Sequence, residues 1–184
     1  MTVKTTSMLG LVLICLGSCS QQKPPVSVHD FGVVTTHATN KASTTPKQLI
    51  NVGAPTWLWD NRIRYRLLYQ IPSQVRFYGL DHWIATPPEL FEHFLITNPV
   101  SFDYTLLIQL QNFEQQFESP QQARVVLNFS VDAYRPDQKQ TVASKNFALT
   151  LTSSPDAQGA IQGFKTLAQQ AAEQLHQWCN QLAH

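Results

Sequence analysis

Four arginines, Arg62, Arg64, Arg66 and Arg76, stand within a stretch that holds no acidic residue. A guanidinium group is a planar fork of donors that fits carboxylate and phosphate oxygens two at a time. Trp57, Trp59, Tyr65, Tyr69, Tyr78 and Trp83 surround them in sequence. Arg, Tyr and Trp are enriched where protein surfaces meet. The chemistry of this segment is therefore recognition, and two readings stand. In one, Arg62, Arg64, Arg66 and Arg76, with Tyr78, Trp57 and Trp59, form a docking patch for an acidic partner surface or for lipid headgroups. In the other, the arginines line a solvated strand face and pair with Asp60 or Asp81. Trp83 reads as core. Trp57 and Trp59 share a face if extended, and either close the core or stand free to bind. As surface groups, Arg64 and Arg66 are expected to tolerate reversal to Glu with stability within about 1 kcal/mol.

No pattern in the chain points to bond-making chemistry, and the protein is expected not to be an enzyme. His29, His37, His82, His93, His176 and His184 are scattered without metal-ligand spacing, so no metal is expected. Asp81-His82 has no nucleophile setting of the Gly-x-Ser-x-Gly kind to serve. No glycine loop cradles a phosphate, and no cofactor is expected. Cys179 lies one helical turn from His176, but a thiol in so apolar a helix reads as a buried, inert side chain.

The N-terminus carries a different signal. Lys4 precedes an apolar run, 8–16, of the length of a signal-peptide core and too short to span a bilayer. Leu16-Gly17-Ser18-Cys19 follows and resembles the bacterial lipobox. That resemblance implies cleavage between Ser18 and Cys19, and acylation of Cys19 as the first residue of the mature chain. An ordinary secretory signal is the alternative. Acyl chains contribute roughly 0.8 kcal/mol per buried methylene, so two or more hold a protein on a membrane stably. Ser20, where an aspartate would imply retention at the inner membrane, implies the periplasmic face of the outer membrane. The organisation expected is a signal peptide over 1–18, a lipidated tether over 19–27 and a single domain over 28–184.

Loss of Cys15 with the signal and commitment of Cys19 to lipid leave Cys179 alone, so no intramolecular disulfide can form. The fold must rest on packing even in an oxidising compartment. The formal charge is +1, and losing Lys4 brings the mature chain to about zero. There is no basic excess of the kind that nucleic-acid binding needs. No later segment approaches the roughly 20 apolar residues of a membrane-spanning helix.

The elements that must position the arginines follow from periodicity. Residues 28–34 read as a first strand, 35–47 as a polar mobile loop and 49–54 as a second strand. Over 61–69 the arginines alternate with Ile63, Tyr65 and Leu67, the period-2 signature of a strand with one buried face. A turn over 70–73 leads to a hairpin partner over 75–78, and 81–83 read as a link. Pro87 and Pro88 suit the first turn of a helix over 87–97, with Leu90, Phe91, Phe94 and Leu95 as its apolar stripe and Glu89 and Glu92 at its positive end. Three alternating strands follow, over 104–117, 123–134 and 141–152, with Arg135-Pro136-Asp137 turning the last pair. Their inward sets are Leu106, Ile108 and Leu110; Val125, Leu127, Phe129 and Val131; and Phe147, Leu149 and Leu151. Residues 156–182 form the clearest helix, capped by Ser153 or Ser154. Its stripe runs through Ile161, Phe164, Leu167, Leu175 and Trp178. The fold class is α/β, an α+β sandwich: a largely antiparallel curved sheet with two helices on one face.

The order Arg62-Ile63-Arg64-Tyr65, a turn, Val75-Arg76-Phe77-Tyr78, His82-Trp83 and Pro87-Pro88-Glu89-Leu90 resembles the ABC-type transport auxiliary lipoproteins of the PqiC-like family. The closing helix, from Asp156-Ala157 to about Trp178, is similar as well. Val28-His29-Asp30-Phe31 departs from the family's Tyr-x-Leu opening. The resemblance implies a non-catalytic outer-membrane lipoprotein. It would serve as the accessory component of an intermembrane lipid transport system, with an MCE-domain protein as periplasmic partner and phospholipid as a further contact. The alternative is a lipid carrier acting independently. A carrier needs an apolar pocket of several hundred cubic ångströms, whereas an adaptor core is packed.

Overall fold

The computed structural model describes residues 24–32, 50–98, 104–135 and 140–182. The expected signal peptide with Ser18 and Cys19, most of the tether, the polar loop over 35–47 and the Pro136-Asp137 turn lie outside the described residues. Among the described residues no helix is long and apolar enough to cross a membrane.

Seven strands form one open mixed sheet: β1 (Ser27–His29), β2 (Ile50–Gly53), β3 (Arg62–Leu67), β4 (Arg76–Trp83), β5 (Thr105–Ser119), β6 (Gln122–Tyr134) and β7 (Thr141–Ser153). The order is β1-β4-β3-β5-β6-β7, with β2 also paired to β5. The long β5–β6 and β6–β7 ladders are antiparallel, as is the β3–β4 hairpin. Three short pairings are parallel: β1 with β4, and β2 and β3 with successive parts of β5. The sheet is thus antiparallel in its main body and parallel where the early strands dock on it. Leu67 lies beside Phe117, Phe117 beside Ala123, and Ala123 beside Ser153. The β3–β4 turn, the β5–β6 turn and the connection out of β7 therefore gather at one end of the sheet.

Helices α1 (Pro87–Thr97) and α2 (Ala157–Leu182) cover one face. Pro87 and Pro88 open α1, where their missing N–H groups cost little. The Thr86 backbone N–H donates to Glu89 Oε2 at 2.9 Å, closing the start of the helix. The core beneath is a run of aromatic rings. Phe113 stacks on Phe164 of α2 at 3.8 Å, Trp83 meets Phe164 edge-on, and Phe91 of α1 meets Phe129, which stacks on Phe147. All three expected inward sets face this core, Leu151 being only partly buried. Burial at 1 % exposure pushes the Cys179 thiol up to about 11, so it is a packing group.

Several expectations need correction. β1 ends at His29, because Asp30 leaves the ladder and its carboxylate accepts the Gly32 N–H, which sits at φ 72°. Residues 81–83 are not a link but the last part of β4, paired to β1 and to Arg62. The cap of α2 is Asp156, whose Oδ1 accepts the Gly159 N–H at 2.6 Å. Ser153 instead accepts from Gln115 Nε2 at 2.9 Å, satisfying a fully buried amide. Strict alternation also fails in β5, at Gln111 and again at Glu118 near the strand's end. Leu110 faces Phe129 and Asn112 faces Asn128, so Gln111 is an extra residue. Such a bulge reverses the faces beyond it, which turns Phe113, Gln115 and Phe117 inward and Glu114 outward.

Candidate docking face

The outer face of β3 and β4 is built on an irregular ladder. Arg62 pairs with His82 and Arg64 with Phe77, so Ile63 alone opposes the four residues from Tyr78 to Asp81. Arg62, Arg64, Arg66 and Phe77 share this face. Arg62 lies flat over the Phe77 ring, its Cζ 3.7 Å from the centroid. The same guanidinium donates through Nε to both Asp60 oxygens, at 3.0 and 2.8 Å. That hydrogen bond holds the Asp60 carboxyl below the usual carboxylate range, against the smaller opposing effect of its partial burial. Arg62 thus has the acidic partner Asp60. Asp81 instead meets His29, with Nε2 and Oδ1 2.8 Å apart, so it has no part in an Asp81-His82 pair.

Arg64 and Arg66 are not free surface cations, and the expectation that both could be reversed with little loss is corrected. Arg64 is only 8 % exposed. Its Nη2 donates to the Trp57 carbonyl oxygen, and its buried Nε has no partner among the described residues. Burial lowers the pKa of this guanidinium from its ordinary value, yet an arginine so placed stays charged. Arg66 donates through Nε to Glu114, at 2.7 and 2.8 Å, and through Nη1 to the Pro72 carbonyl oxygen at 3.1 Å. Glu114 is buried, and Gln116 Nε2 donates to it as well. Sequence reasoning missed Glu114. Its one visible signal is that it is an acid among glutamines in β5, and the bulge at Gln111 decides which way it points.

Arg76 and Tyr78 do not join this face. Arg76 is opposite Tyr65, and Tyr78 packs against Tyr65 with ring centroids 4.8 Å apart. Both therefore lie on the side of the sheet that carries the helices. The Tyr78 hydroxyl donates to Gln115 Oε1 at 2.6 Å, and burial drives its pKa above the usual phenol range. Arg76 bonds Gln74 and Gln70. The proposed four-arginine patch is thus two separate features.

What remains open to a partner is aromatic. Between β2 and β3 the chain leaves β5 and makes a 3-10 turn at Thr56–Leu58, whose Leu58 is buried as an anchor. Trp57 and Trp59 flank Leu58 and are 62 % and 49 % exposed. Trp59 Nε1 donates to the Ala54 carbonyl oxygen at 3.1 Å, and Arg64 holds the Trp57 backbone from beneath. Two large rings stand in water on a turn fixed by a buried leucine and an arginine. Trp83, by contrast, is fully buried as expected.

Clefts between the described residues run from about 270 to 450 Å³ and open to solvent. One of about 450 Å³ is edged by Glu118, Gln122, Arg124, Thr150 and Thr152. Another, about 270 Å³, lies between Phe31 and the Leu90 and Phe94 side of α1, with Asp30, His93 and Asn98 at its rim. None of these encloses an acyl chain.

No family model and no curated protein matches the sequence. Solved structures match the fold. The crystal structure of protein XCC0632 from Xanthomonas campestris, described by the family model DUF330, superposes with a TM-score of 0.68 at 17 % identity. The match covers 85 % of this chain and 96 % of that one. The crystal structure of an uncharacterized protein superposes with a TM-score of 0.56 at 12 % identity, over 84 % of this chain and 98 % of that one. At these identities the likeness shows a shared fold.

Proposed function

We propose that this protein is a non-catalytic, lipid-anchored accessory component of an MCE-type intermembrane lipid transport system, at the periplasmic face of the outer membrane. Acyl chains on Cys19 would hold it there, and the turn bearing Trp57 and Trp59 would dock the periplasmic conduit. The observation that carries the reading is that turn. Two exposed tryptophans on a rigid base have the composition of an interface hot spot and no role in the protein's own core. The PqiC-like order of residues from Arg62 to Leu90 and the fold shared with a DUF330 structure support it. The independent-carrier reading gains nothing from the clefts, which are open and polar at their rims.

The test places a photo-crosslinking amino acid at Trp57 in the full-length protein and irradiates native envelopes, with captured molecules identified by mass spectrometry. Recovery of an MCE-domain protein is the expected result. Phospholipid recovered in its place would favour the carrier. Trp57→Ala should abolish this association while stability stays within about 0.5 kcal/mol, because the side chain is mostly in water.

A further inference from the structure

We propose that the end of the sheet formed by the β3–β4 turn faces the phospholipid surface, with Tyr69 and Ile71 entering the headgroup layer. The inference rests on the lipid-anchor reading of Cys19 and goes beyond it by fixing which way the domain stands.

Direction comes from register. β1 is parallel to β4, with Ser27 beside Asp81 and His29 beside Trp83. The chain therefore enters β1 travelling away from the Arg76 end of β4. From Cys19 to Ser27 there are eight residues, which reach at most about 28 Å when extended. From Asp81 back to Arg76, β4 covers at most about 16 Å, less because of the irregularity opposite Ile63, and the turn projects beyond it. The eight tether residues are thus long enough for Cys19 to reach the level of the turn. The opposite end of the sheet is remote, because β5 alone has 15 residues and spans about 46 Å.

Composition agrees. Ile71 is 54 % exposed and Tyr69 41 % exposed, although both sit in a surface connection, 68–75, that could have been wholly polar. Val26 and Leu80 add exposed apolar surface on β4 and on the approach to β1. Tyrosine is a side chain of the membrane interface, with an apolar ring and a wet hydroxyl. Arg76 borders the turn, and among the described residues it bonds only the amides of Gln70 and Gln74. It is a cation available to a lipid phosphate. Acids at this end are already engaged: Glu114 by Arg66, Glu118 by Arg124, and Asp156 by the start of α2.

The test uses the lipidated full-length protein in phosphatidylglycerol–phosphatidylcholine vesicles. Cys179 is buried and Cys19 would carry lipid, so Ile71→Cys offers one reactive thiol for a polarity-sensitive fluorophore. Tyr69→Cys supplies a second site at the same end. Val142→Cys, at the start of β7, is the control at the far end. Nitroxide-bearing phospholipids should quench the labels at 71 and 69 about threefold or more over the label at 142, given an insertion depth of roughly 5–10 Å. Vesicle flotation reads the anchor separately. Protein that floats without preferential quenching at 71 and 69 overturns the orientation and leaves the anchor standing. Protein that does not float overturns both.

Discussion

Arg66 reaches a carboxylate 48 residues away in sequence, and that partner decides what the residue does. Arg66→Ala would strand the buried Glu114 charge, so it should lower unfolding free energy by about 2–3 kcal/mol, measured by denaturant titration. A loss under about 0.5 kcal/mol would show that Glu114 finds water instead. Glu89 gives a pH-dependent case. Its hydrogen bonds from Thr86 hold the carboxyl below the usual range. Its contribution is therefore complete above the ordinary carboxylate pKa and is lost as pH falls through the lowered folded value. Glu89→Ala should be less stable than the parent at neutral pH by about 1 kcal/mol, and the two should converge as pH falls below the ordinary carboxylate range. Alternation made the common face of Arg62, Arg64 and Arg66 legible in sequence. The burial of Arg64 was not legible, because it depends on the Trp57 carbonyl, which the 3-10 turn carries onto that face.

At the scale of elements, close approach is the governing constraint. A Cβ built on Gly163 of α2 would lie 2.6 and 3.0 Å from the two methyl carbons of Val125 on β6. A branched side chain already packed in the core cannot swing aside. Gly163→Ala should therefore cost about 1–3 kcal/mol by overpacking, despite the higher helix propensity of alanine. A gain in melting temperature would show that the helix can lift off the sheet. Both helices were legible from their apolar stripes, and β5, β6 and β7 from alternation. The bulge at Gln111 was not, since one inserted residue leaves no mark among glutamines. Nor was the end of β4, where Asp81 and His82 look polar enough for a loop but pair with β1 and β3.

For the whole molecule, the Cys19 reading makes a clean prediction. Cys19→Ala should move the protein from the membrane to the soluble fraction with an unchanged circular dichroism spectrum, because the sheet described here starts at Ser27. Unaltered fractionation would sink the lipid anchor. The fold class was legible because the long antiparallel strands and α2 are local in sequence and strongly patterned. The docking of β2 and β3 onto β5 was not, since parallel pairs form between segments far apart in the chain. That arrangement also bears on the order in which the chain can take shape. Among the described residues β2 pairs only with β5, and β3 has only the hairpin with β4 until β5 arrives. Phe113 arrives with β5 itself, and Phe129 and Phe164, on which Phe91 and Trp83 pack, come later still. A chain emerging from its N-terminus can therefore pair β1, β3 and β4, but leaves β2 and the second edge of β3 unpaired until β5 is present. For a chain exported as we propose, that delay has a use: closure of the sheet waits for the trailing segment to clear the pore.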